Sequence, residues 1–256
     1  MAFLEINFRS QAMGMSVPVS IILPENPVAA GSPEGTYKTL YLLHGLNGNH
    51  TDWMRKTAIE RYAAKHGIAV VMPCGGRSWY TDTAYGANYF TFITEELPAV
   101  CRSYFKGMTD RREDNMIGGL SMGGYGAIKA AMTFPERYCS CIALSGALDI
   151  TRKGRTYSLP EWQSIFGFNL ESAAQLEGSR HDIFHLTQEN AKNACDFPKL
   201  YLWCGTEDTL IAINREYHSL LQELGVEHCY EEGPGNHTWD YWDPGIKRGL
   251  EYIFNK

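Results

Sequence analysis

The chain has 256 residues, of which 44% are hydrophobic and 20% are charged, with no low-complexity block. This length and balance fit one large α/β domain and exclude a fibrous or disordered protein. The 23 Lys and Arg residues against 29 Asp and Glu residues give a formal charge of -6, which offers no attraction for nucleic acid or an anionic membrane. We therefore predict a single domain over residues 1–256, with neither nucleic acid nor membrane as a partner.

The cysteines and the first residues bear on the compartment. Seven cysteines without a C-x-x-C pair indicate reduced, buried thiols rather than a disulfide framework. Polar residues interrupt positions 1–9, where a secretory signal needs an apolar segment, and no apolar run reaches membrane-spanning length. We expect a cytoplasmic protein.

The first predicted elements are strands. Apolar and polar residues alternate over 4–9 and again over 17–21, which predicts two half-buried strands paired antiparallel. Residues 24–37 contain three prolines and two glycines and predict a surface connection. Residues 39–43 form a continuous apolar run, which is typical of a parallel strand covered on both faces.

From residue 52 onward, helices and strands alternate. Further strands are predicted at 68–72, 114–118, 138–144, 199–204 and 226–230. Helices are predicted at 52–65, 90–104 (kinked or restarted at Pro98), 125–134, 209–224 and 239–254. Residues 147–198 break this alternation and predict a cap-like insertion over the sheet, with aromatic residues at 157, 162, 166, 168 and 184. The pattern predicts a mostly parallel sheet with helices on both faces.

A serine lies between glycines where a predicted strand meets a predicted helix, in Gly119-Leu-Ser-Met-Gly123. This G-x-S-x-G pattern is the nucleophile elbow, a turn so sharp that the flanking positions leave no room for a Cβ atom. Ser121 is therefore the candidate nucleophile. The alternative is that Ser121 only caps the helix, because serine is a preferred N-cap residue.

A serine nucleophile needs a general base, and the chain has eight histidines. His237 lies on a glycine-rich loop after a late strand and before a helix, so it is the candidate base. His44 ends a strand and is predicted to hold the following loop through hydrogen bonds. His181 and His185 have the i, i+4 spacing of two metal ligands, yet no third ligand accompanies them, so we predict no metal and no cofactor.

Three carboxylates compete for the acid that orients the histidine. Asp149 follows the strand after the elbow, and Glu207 directly precedes Asp208. We prefer Asp208, because it lies on the loop after a strongly apolar strand in the last sheet unit before His237. Glu207 is then interpreted as a helix-start carboxylate that the helix dipole favours.

Two backbone N–H groups are needed where negative charge develops on the substrate carbonyl oxygen. Met122 directly follows the nucleophile, and Leu46 lies in the glycine-flanked loop after His44, so these residues are the candidate oxyanion donors. The alternative for His44-Gly45 is a tight strand exit without a catalytic role. Along the chain the loops supply oxyanion donor, serine, acid and histidine, which is the order expected for an α/β-hydrolase.

Three segments, residues 44–53, 119–127 and 235–239, resemble the esterase D-like α/β-hydrolases, particularly the tributyrin esterase branch. That group is related to S-formylglutathione hydrolases and to the feruloyl and acetyl xylan esterases of carbohydrate esterase family one. The resemblance implies a metal-free serine carboxylesterase for short acyl or hydroxycinnamoyl esters that is often a homo-oligomer. The residues that match the family's site are Ser121, Asp208, His237, Leu46 and Met122.

One departure from the related thioesterases concerns the oxyanion loop. S-formylglutathione hydrolases typically have Leu-Thr-Cys where this chain has Leu46-Asn-Gly48, which weakens a thioesterase assignment. Feruloyl or acetyl xylan esterase activity on plant cell-wall carbohydrate esters stays open, as does a non-catalytic binding member of the fold. Trp162 is predicted either to stack on a feruloyl ring or to belong to an interface or the cap core.

Overall fold

A computed structural model describes residues 1–25, 33, 35–151, 158–167 and 171–255. The strands are β1 Ala2–Arg9, β2 Ser16–Leu23, β3 Thr39–Leu43, β4 Ala69–Pro73, β5 Asn115–Leu120, β6 Ser140–Leu144, β7 Lys199–Gly205 and β8 His228–Gly233. They form an eight-stranded sheet in the order β1-β2-β4-β3-β5-β6-β7-β8. The strands β1, β2 and β4 pair antiparallel, as predicted for the opening pair, and all later pairings are parallel.

The α-helices are α1 Asp52–Lys56, α2 Ile59–His66, α3 Tyr89–Thr91, α4 Leu97–Tyr104, α5 Met122–Thr133, α6 Leu159–Phe166, α7 Ile183–Lys192, α8 Ile211–Glu223 and α9 Trp239–Phe254. A π-helical segment, Phe92–Glu96, joins α3 to α4, and short 3-10 helices occupy Arg112–Asp114 and Ala173–Leu176. None of the described helices is both long and apolar enough to cross a bilayer.

Alternate residues of the central strands face two separate cores. On β3, Tyr41 and Leu43 belong to one apolar cluster, whereas Leu40 and Leu42 belong to the other. Residues of α4, α5, α7 and α8 complete the first cluster, and residues of α1, α2 and α9 complete the second. A strand buried on both faces has no exposed positions for polar residues, which explains the continuous apolar run of β3. The α/β-hydrolase fold is confirmed, with helices on both faces of a mostly parallel sheet.

The single helix predicted over 52–65 is wrong, because the chain forms two helices there. Thr57 is extended, with φ at -138°, and its Oγ1 atom accepts the N–H of Ile59 at 3.2 Å. Asp243 of α9 accepts the N–H of Ala58 at 2.8 Å. Both N–H groups are therefore satisfied outside the helix, which allows the chain to bend between α1 and α2.

The predicted kink or restart at Pro98 takes the form of a change of helix type, from the π-helical segment Phe92–Glu96 to α4. Proline has no N–H to donate to the carbonyl of Thr94, four residues earlier. The preceding segment widens to a π-helix, and the N–H of Leu97 bonds to Phe92. Arg137 donates its Nη1 hydrogen to the freed carbonyl oxygen of Thr94 at 3.2 Å.

The predicted insertion over 147–198 contains part of the regular helix layer. Its last helix, α7, packs against α5 and α8 beside the sheet, so this part is the connection between β6 and β7 rather than a cap. The helix α6 starts at a serine cap, where the Ser158 side chain accepts the N–H of Glu161. The aromatic residues at 157 and 168 lie outside the described residues.

Candidate active site

The strand-to-helix turn holds Ser121 in an unusual backbone conformation. Strand β5 ends at Leu120 and α5 begins at Met122, and Ser121 between them has φ 54° and ψ -118°. A positive φ is sparsely populated for a residue with a Cβ atom, so the surrounding packing must enforce it. A Cβ atom on Gly119 would lie 2.5 Å from the backbone carbonyl carbon of Gly123, which explains why the turn requires glycine there.

The Ser121 side chain does not cap α5, although the residue occupies the N-cap position. Its Oγ atom instead lies 2.9 Å from Nε2 of His237. Its N–H donates to Leu144 at 2.9 Å, and its carbonyl accepts the N–H of Ala147 at 3.0 Å. The backbone is thus held from β6 and from the chain just beyond it, while the hydroxyl is left to the histidine.

His237 links the serine to a buried carboxylate. Its Nδ1 atom lies 2.8 Å from Oδ2 of Asp208. Because an ionised carboxylate only accepts hydrogen bonds, Nδ1 carries the proton and Nε2 accepts the hydrogen of the Ser121 hydroxyl. The ring also packs edge-on against Trp242, with the centroids 4.8 Å apart. The imidazole is therefore fixed in both tautomer and orientation.

Asp208 lies on the loop after β7 and is only 2% exposed. Burial alone would raise the pKa of this carboxyl. Hydrogen bonds from His237 and from the N–H of Leu210, the latter at 2.9 Å, outweigh burial and hold the pKa below its ordinary value. Asp208 is therefore ionised at neutral pH, as a partner for an imidazolium must be.

The two competing carboxylates bond elsewhere. Glu207 accepts the N–H of Gly235, so it holds the loop that carries the histidine. The interpretation of Glu207 as a helix-start carboxylate is wrong, because α8 begins only at Ile211. Asp149 accepts both the N–H and the hydroxyl of Thr151, at 2.9 and 2.6 Å. Of the three, the structure brings Asp208 to the histidine.

The loop after β3 lies directly against the elbow. A Cβ atom on Gly45 would lie 3.6 Å from the Cβ atom of Ser121. His44 holds this loop as predicted: its Nε2 accepts the N–H of Gly75 at 2.8 Å, so its Nδ1 donates to the Gly45 carbonyl at 2.7 Å. Burial lowers the pKa of His44, which favours the neutral ring that this arrangement needs.

The same hydrogen bonds set the direction of the Leu46 N–H. The Gly45 carbonyl accepts from His44 and from the N–H of Gly48, at 3.0 Å for the latter. Across a trans peptide the N–H of the next residue points the opposite way, so Leu46 directs its N–H away from both donors. Met122 is the first residue of α5, and a helix leaves that N–H unused. Among the described residues, no backbone carbonyl accepts either N–H.

Ser145 is a site residue that the sequence did not reveal. It has φ 46° and is fully buried. Its Oγ atom accepts the indole N–H of Trp242 at 3.0 Å, and its hydrogen bond to Asp208 helps to lower the pKa of that carboxyl. The only signal was a Ser-Gly pair directly after an apolar strand, which does not tell what the serine faces.

Trp162 is a residue of α6, is 1% exposed and belongs to the first apolar cluster. Its ring packs edge-on against Trp79 at 5.2 Å and against Phe166 at 5.1 Å between centroids. Stacking on a substrate ring requires an exposed aromatic face. The stacking interpretation of Trp162 is therefore corrected in favour of its alternative, the core of the inserted segment.

The sheet order, the elbow and the serine–histidine–aspartate hydrogen bonds define a serine hydrolase of the α/β-hydrolase fold. Residues 10–253 match the family model described as "Putative esterase", and the chain belongs to this esterase family. The acetyl esterase of Caldicellulosiruptor saccharolyticus is 33% identical over 266 aligned positions, which cover 99% of this chain and 98% of that protein.

Two solved structures from Staphylococcus aureus are similar over the whole chain. The fluorophosphonate-binding serine hydrolase F, with substrate bound, is 34% identical with a TM-score of 0.90 and coverage of 100% of this chain and 99% of that one. An S-formylglutathione hydrolase is 33% identical with a TM-score of 0.87 and coverage of 99% of both chains. The predicted enzyme class is confirmed: the chain is a serine esterase.

Proposed function

We propose that Ser121 is the nucleophile of this esterase, His237 its general base and Asp208 the acid that orients the base. The N–H groups of Leu46 and Met122 are the proposed oxyanion donors. The observation that carries the proposal is the unbroken hydrogen-bonded chain from Ser121 through His237 to Asp208, with links of 2.9 and 2.8 Å. The link between Ser121 and His237 has the length that proton transfer requires, and the link between His237 and Asp208 holds the imidazole in the tautomer that accepts the proton.

Acylation follows from this geometry. As the Oγ–C bond forms, the hydroxyl proton moves to Nε2 of His237, and the resulting imidazolium is stabilised by Asp208. The carbonyl oxygen becomes an oxyanion that accepts hydrogen bonds from Leu46 and Met122. The bond between the carbonyl carbon and the alcohol oxygen then breaks, and the alcohol leaves with the proton from Nε2. The acyl group remains on Ser121.

Deacylation repeats the same steps with water. His237 accepts a proton from water as its oxygen attacks the acyl carbonyl, and the same N–H groups stabilise the second oxyanion. Collapse of this intermediate breaks the bond to Ser121, whose Oγ takes back the proton from Nε2. The carboxylic acid leaves, and the resting hydrogen bonds between serine and histidine are restored.

The proposed substrates are small-molecule esters with a short acyl group, such as acetyl or butyryl. The similarity to an acetyl esterase over 99% of the chain supports this choice. Trp162, which was predicted either to stack on a feruloyl ring or to belong to an interface or the cap core, is buried and so gives no support for a hydroxycinnamoyl substrate. The proposal also includes one domain over residues 1–256, which the continuous sheet supports. The free cysteines support a location in the cytoplasm. The family resemblance supports a homo-oligomer.

Thioester hydrolysis is a second candidate. A solved S-formylglutathione hydrolase is 33% identical over nearly the whole chain. The Asn47-Gly48 pair in the oxyanion loop argues against it, because that subgroup typically has other residues there. The same triad chemistry would serve both substrates, so only turnover distinguishes them.

The experiment compares wild type, Ser121→Ala and a control, Ser103→Ala, on p-nitrophenyl acetate, tributyrin, an acetylated xylan fragment, methyl ferulate and S-formylglutathione. Ser103 lies on the exposed face of α4, so its loss is expected to leave turnover unchanged. Loss of Ser121 is expected to lower kcat about a thousandfold or more. Near-normal hydrolysis by Ser121→Ala would overturn the assignment, and a preference for S-formylglutathione would favour the second candidate.

A further inference from the structure

Arg77 connects the loop after β3, which carries Leu46, to the helix α6. Its Nη1 atom donates to Oδ1 of Asn47 at 2.8 Å. Its Nε and Nη2 atoms donate to one carboxylate oxygen of Glu161 at 2.9 and 2.7 Å. A guanidinium group holds several donors in one rigid plane, so this side chain fixes its two partners relative to each other.

One of these two partners lies next to a residue of the proposed site. Asn47 follows Leu46, the proposed oxyanion donor, and its exposed side chain is held by this hydrogen bond from Arg77. Glu161 lies in the first turn of α6, the helix of the inserted segment. Arg77 therefore ties the oxyanion loop to the helix that covers the neighbouring core.

The loop that carries Arg77 is itself rigid. The Ser78 hydroxyl donates to the Gly75 carbonyl at 2.6 Å and accepts the N–H of Tyr80 at 3.1 Å. The Tyr80 hydroxyl donates to the carbonyl of His44 at 3.0 Å. Trp79 and Tyr80 both have positive φ, 53° and 44°, which only a well-determined surrounding structure maintains. The backbone that carries the Arg77 side chain is therefore held in one conformation.

We propose that Arg77 is a positioning residue of the esterase reaction. It holds the Asn47 turn against Glu161, so that the Leu46 N–H stays aimed at the oxyanion. The proposal rests on the proposed role of Leu46 as an oxyanion donor. Arg77 is expected to stabilise the transition state, in which the carbonyl oxygen becomes charged, more than it stabilises binding of the neutral ester.

Stability and catalysis respond differently to the loss of these contacts. The Arg77 side chain is 49% exposed and that of Glu161 is 26% exposed, so the ion pair contributes little to folding. A small displacement of an oxyanion donor, in contrast, lowers the reaction rate strongly. The signature of positioning is therefore a fall in kcat with nearly unchanged KM and melting temperature.

The test uses Arg77→Met, Asn47→Ala, their double variant and a matched control, Arg215→Met. Arg215 also forms a two-pronged contact with a glutamate, Glu232, but on the outer surface of α8 and β8. For each variant, kcat and KM for p-nitrophenyl acetate are measured with the inhibition constant of a short alkyl boronic acid. The boronic acid adduct on a serine places a charged oxygen where the oxyanion forms.

Arg77→Met and Asn47→Ala are each expected to lower kcat and weaken boronic acid inhibition about tenfold, with KM changed less than about twofold. The double variant is expected to be no worse than Arg77→Met alone, because both single variants remove the same contact between Arg77 and Asn47. Arg215→Met is expected to match wild type. A kcat within about twofold of wild type in Arg77→Met, a loss confined to KM, or multiplying losses in the double variant would overturn the inference. Activity that survives in Ser121→Ala would instead overturn the proposed function.

Discussion

The hydroxyl oxygen of Ser121 and Nε2 of His237 lie 2.9 Å apart although 116 residues separate them along the chain. Ser121 belongs to the turn between β5 and α5, and His237 to the loop between β8 and α9. The parallel strands between them place both loops at the carboxyl edge of the sheet. In the proposed mechanism, this contact allows His237 to take the proton of an otherwise ordinary hydroxyl group.

The acid can be tested by Asp208→Asn. An asparagine amide placed against Nδ1 would favour the tautomer with its proton on Nε2, which cannot accept the serine proton. We expect kcat to fall about a thousandfold or more with little change in KM. Asp149→Asn is the control, because Asp149 bonds to its own turn at Thr151. If Asp149→Asn lost activity and Asp208→Asn kept it, the assignment of the acid would be reversed.

The elbow glycines can be tested by Gly123→Ala. A Cβ atom there would meet the carbonyl oxygens of Leu43 and His44, which belong to rigid backbone. We expect a loss of about 1–3 kcal/mol in the free energy of unfolding, together with loss of turnover, because the first turn of α5 must move. Urea unfolding measures the first quantity. Gly233→Ala is the control, since a Cβ atom on Gly233 meets nothing within 4 Å; equal effects at both positions would contradict the steric account.

The role of Trp162 can be tested by Trp162→Phe. Because the indole is buried among Trp79 and Phe166, the smaller ring leaves a cavity. We expect a lower melting temperature and similar proportional changes in kcat/KM for p-nitrophenyl acetate and methyl ferulate. A selective loss of methyl ferulate turnover would show that the ring contacts the aromatic acyl group after all.

His181 predicts how stability depends on pH. Burial, together with the positive charges of Lys129 and Arg180, lowers the pKa of His181 from an ordinary 6.5 to about 2. Lys129 Nζ lies 3.3 Å from Nδ1, and Arg180 Nε lies 3.4 Å from Nε2. Between pH 2 and 6.5, His181 therefore binds a proton in the unfolded chain but not in the folded protein. Stability contributed by this group is present above pH 6.5 and is lost as the pH falls below it.

The comparison is between wild type and His181→Gln, whose side chain does not titrate. The free energy of unfolding is measured in urea from pH 7 to pH 4.5. As the pH falls it is expected to decrease more steeply in wild type, and the difference in slope corresponds to at most about one extra proton bound by the unfolded chain. Parallel curves for the two proteins would contradict the neutral state of the partly buried His181. Lys129→Met, which removes one of the neighbouring cations, is expected to lie between them.

The sequence predicted the fold, and it predicted three residues that the structure joins by hydrogen bonds, because both predictions depend on local patterns. The buried strands are continuous apolar runs, and Ser121, Asp208 and His237 each follow a strand in a short loop. The start of α5 was predicted at residue 125, three positions late, since Gly123 and Gly124 have low helix propensity. Tertiary packing explains these glycines, because Gly123 lies against the backbone of Leu43 and His44 and Gly124 lies against Gly146. Contacts between residues far apart in the sequence were harder to predict, as the corrected interpretations of Trp162 and Glu207 show.

The hydrogen bonds of Arg77 and Ser145 illustrate the same limit. Arg77 joins residues 30 and 84 positions away, and Ser145 meets an indole 97 positions away. No spacing rule connects such residues, because their proximity arises only when separate sheet units stack side by side. The local G-x-S-x-G motif therefore predicted the class of reaction. The residues that hold this motif and its partners in place could be identified only from the structure.

The most direct test of the central claim is mass spectrometry of the protein after reaction with a fluorophosphonate. If Ser121 is the nucleophile activated by His237, one phosphonyl group per chain will be found on the peptide that contains Ser121. Hydrolysis of p-nitrophenyl acetate will be lost in proportion to the label, and Ser121→Ala will remain unlabelled. Labelling of a different residue, or full hydrolysis by protein whose Ser121 is completely modified, would contradict the account.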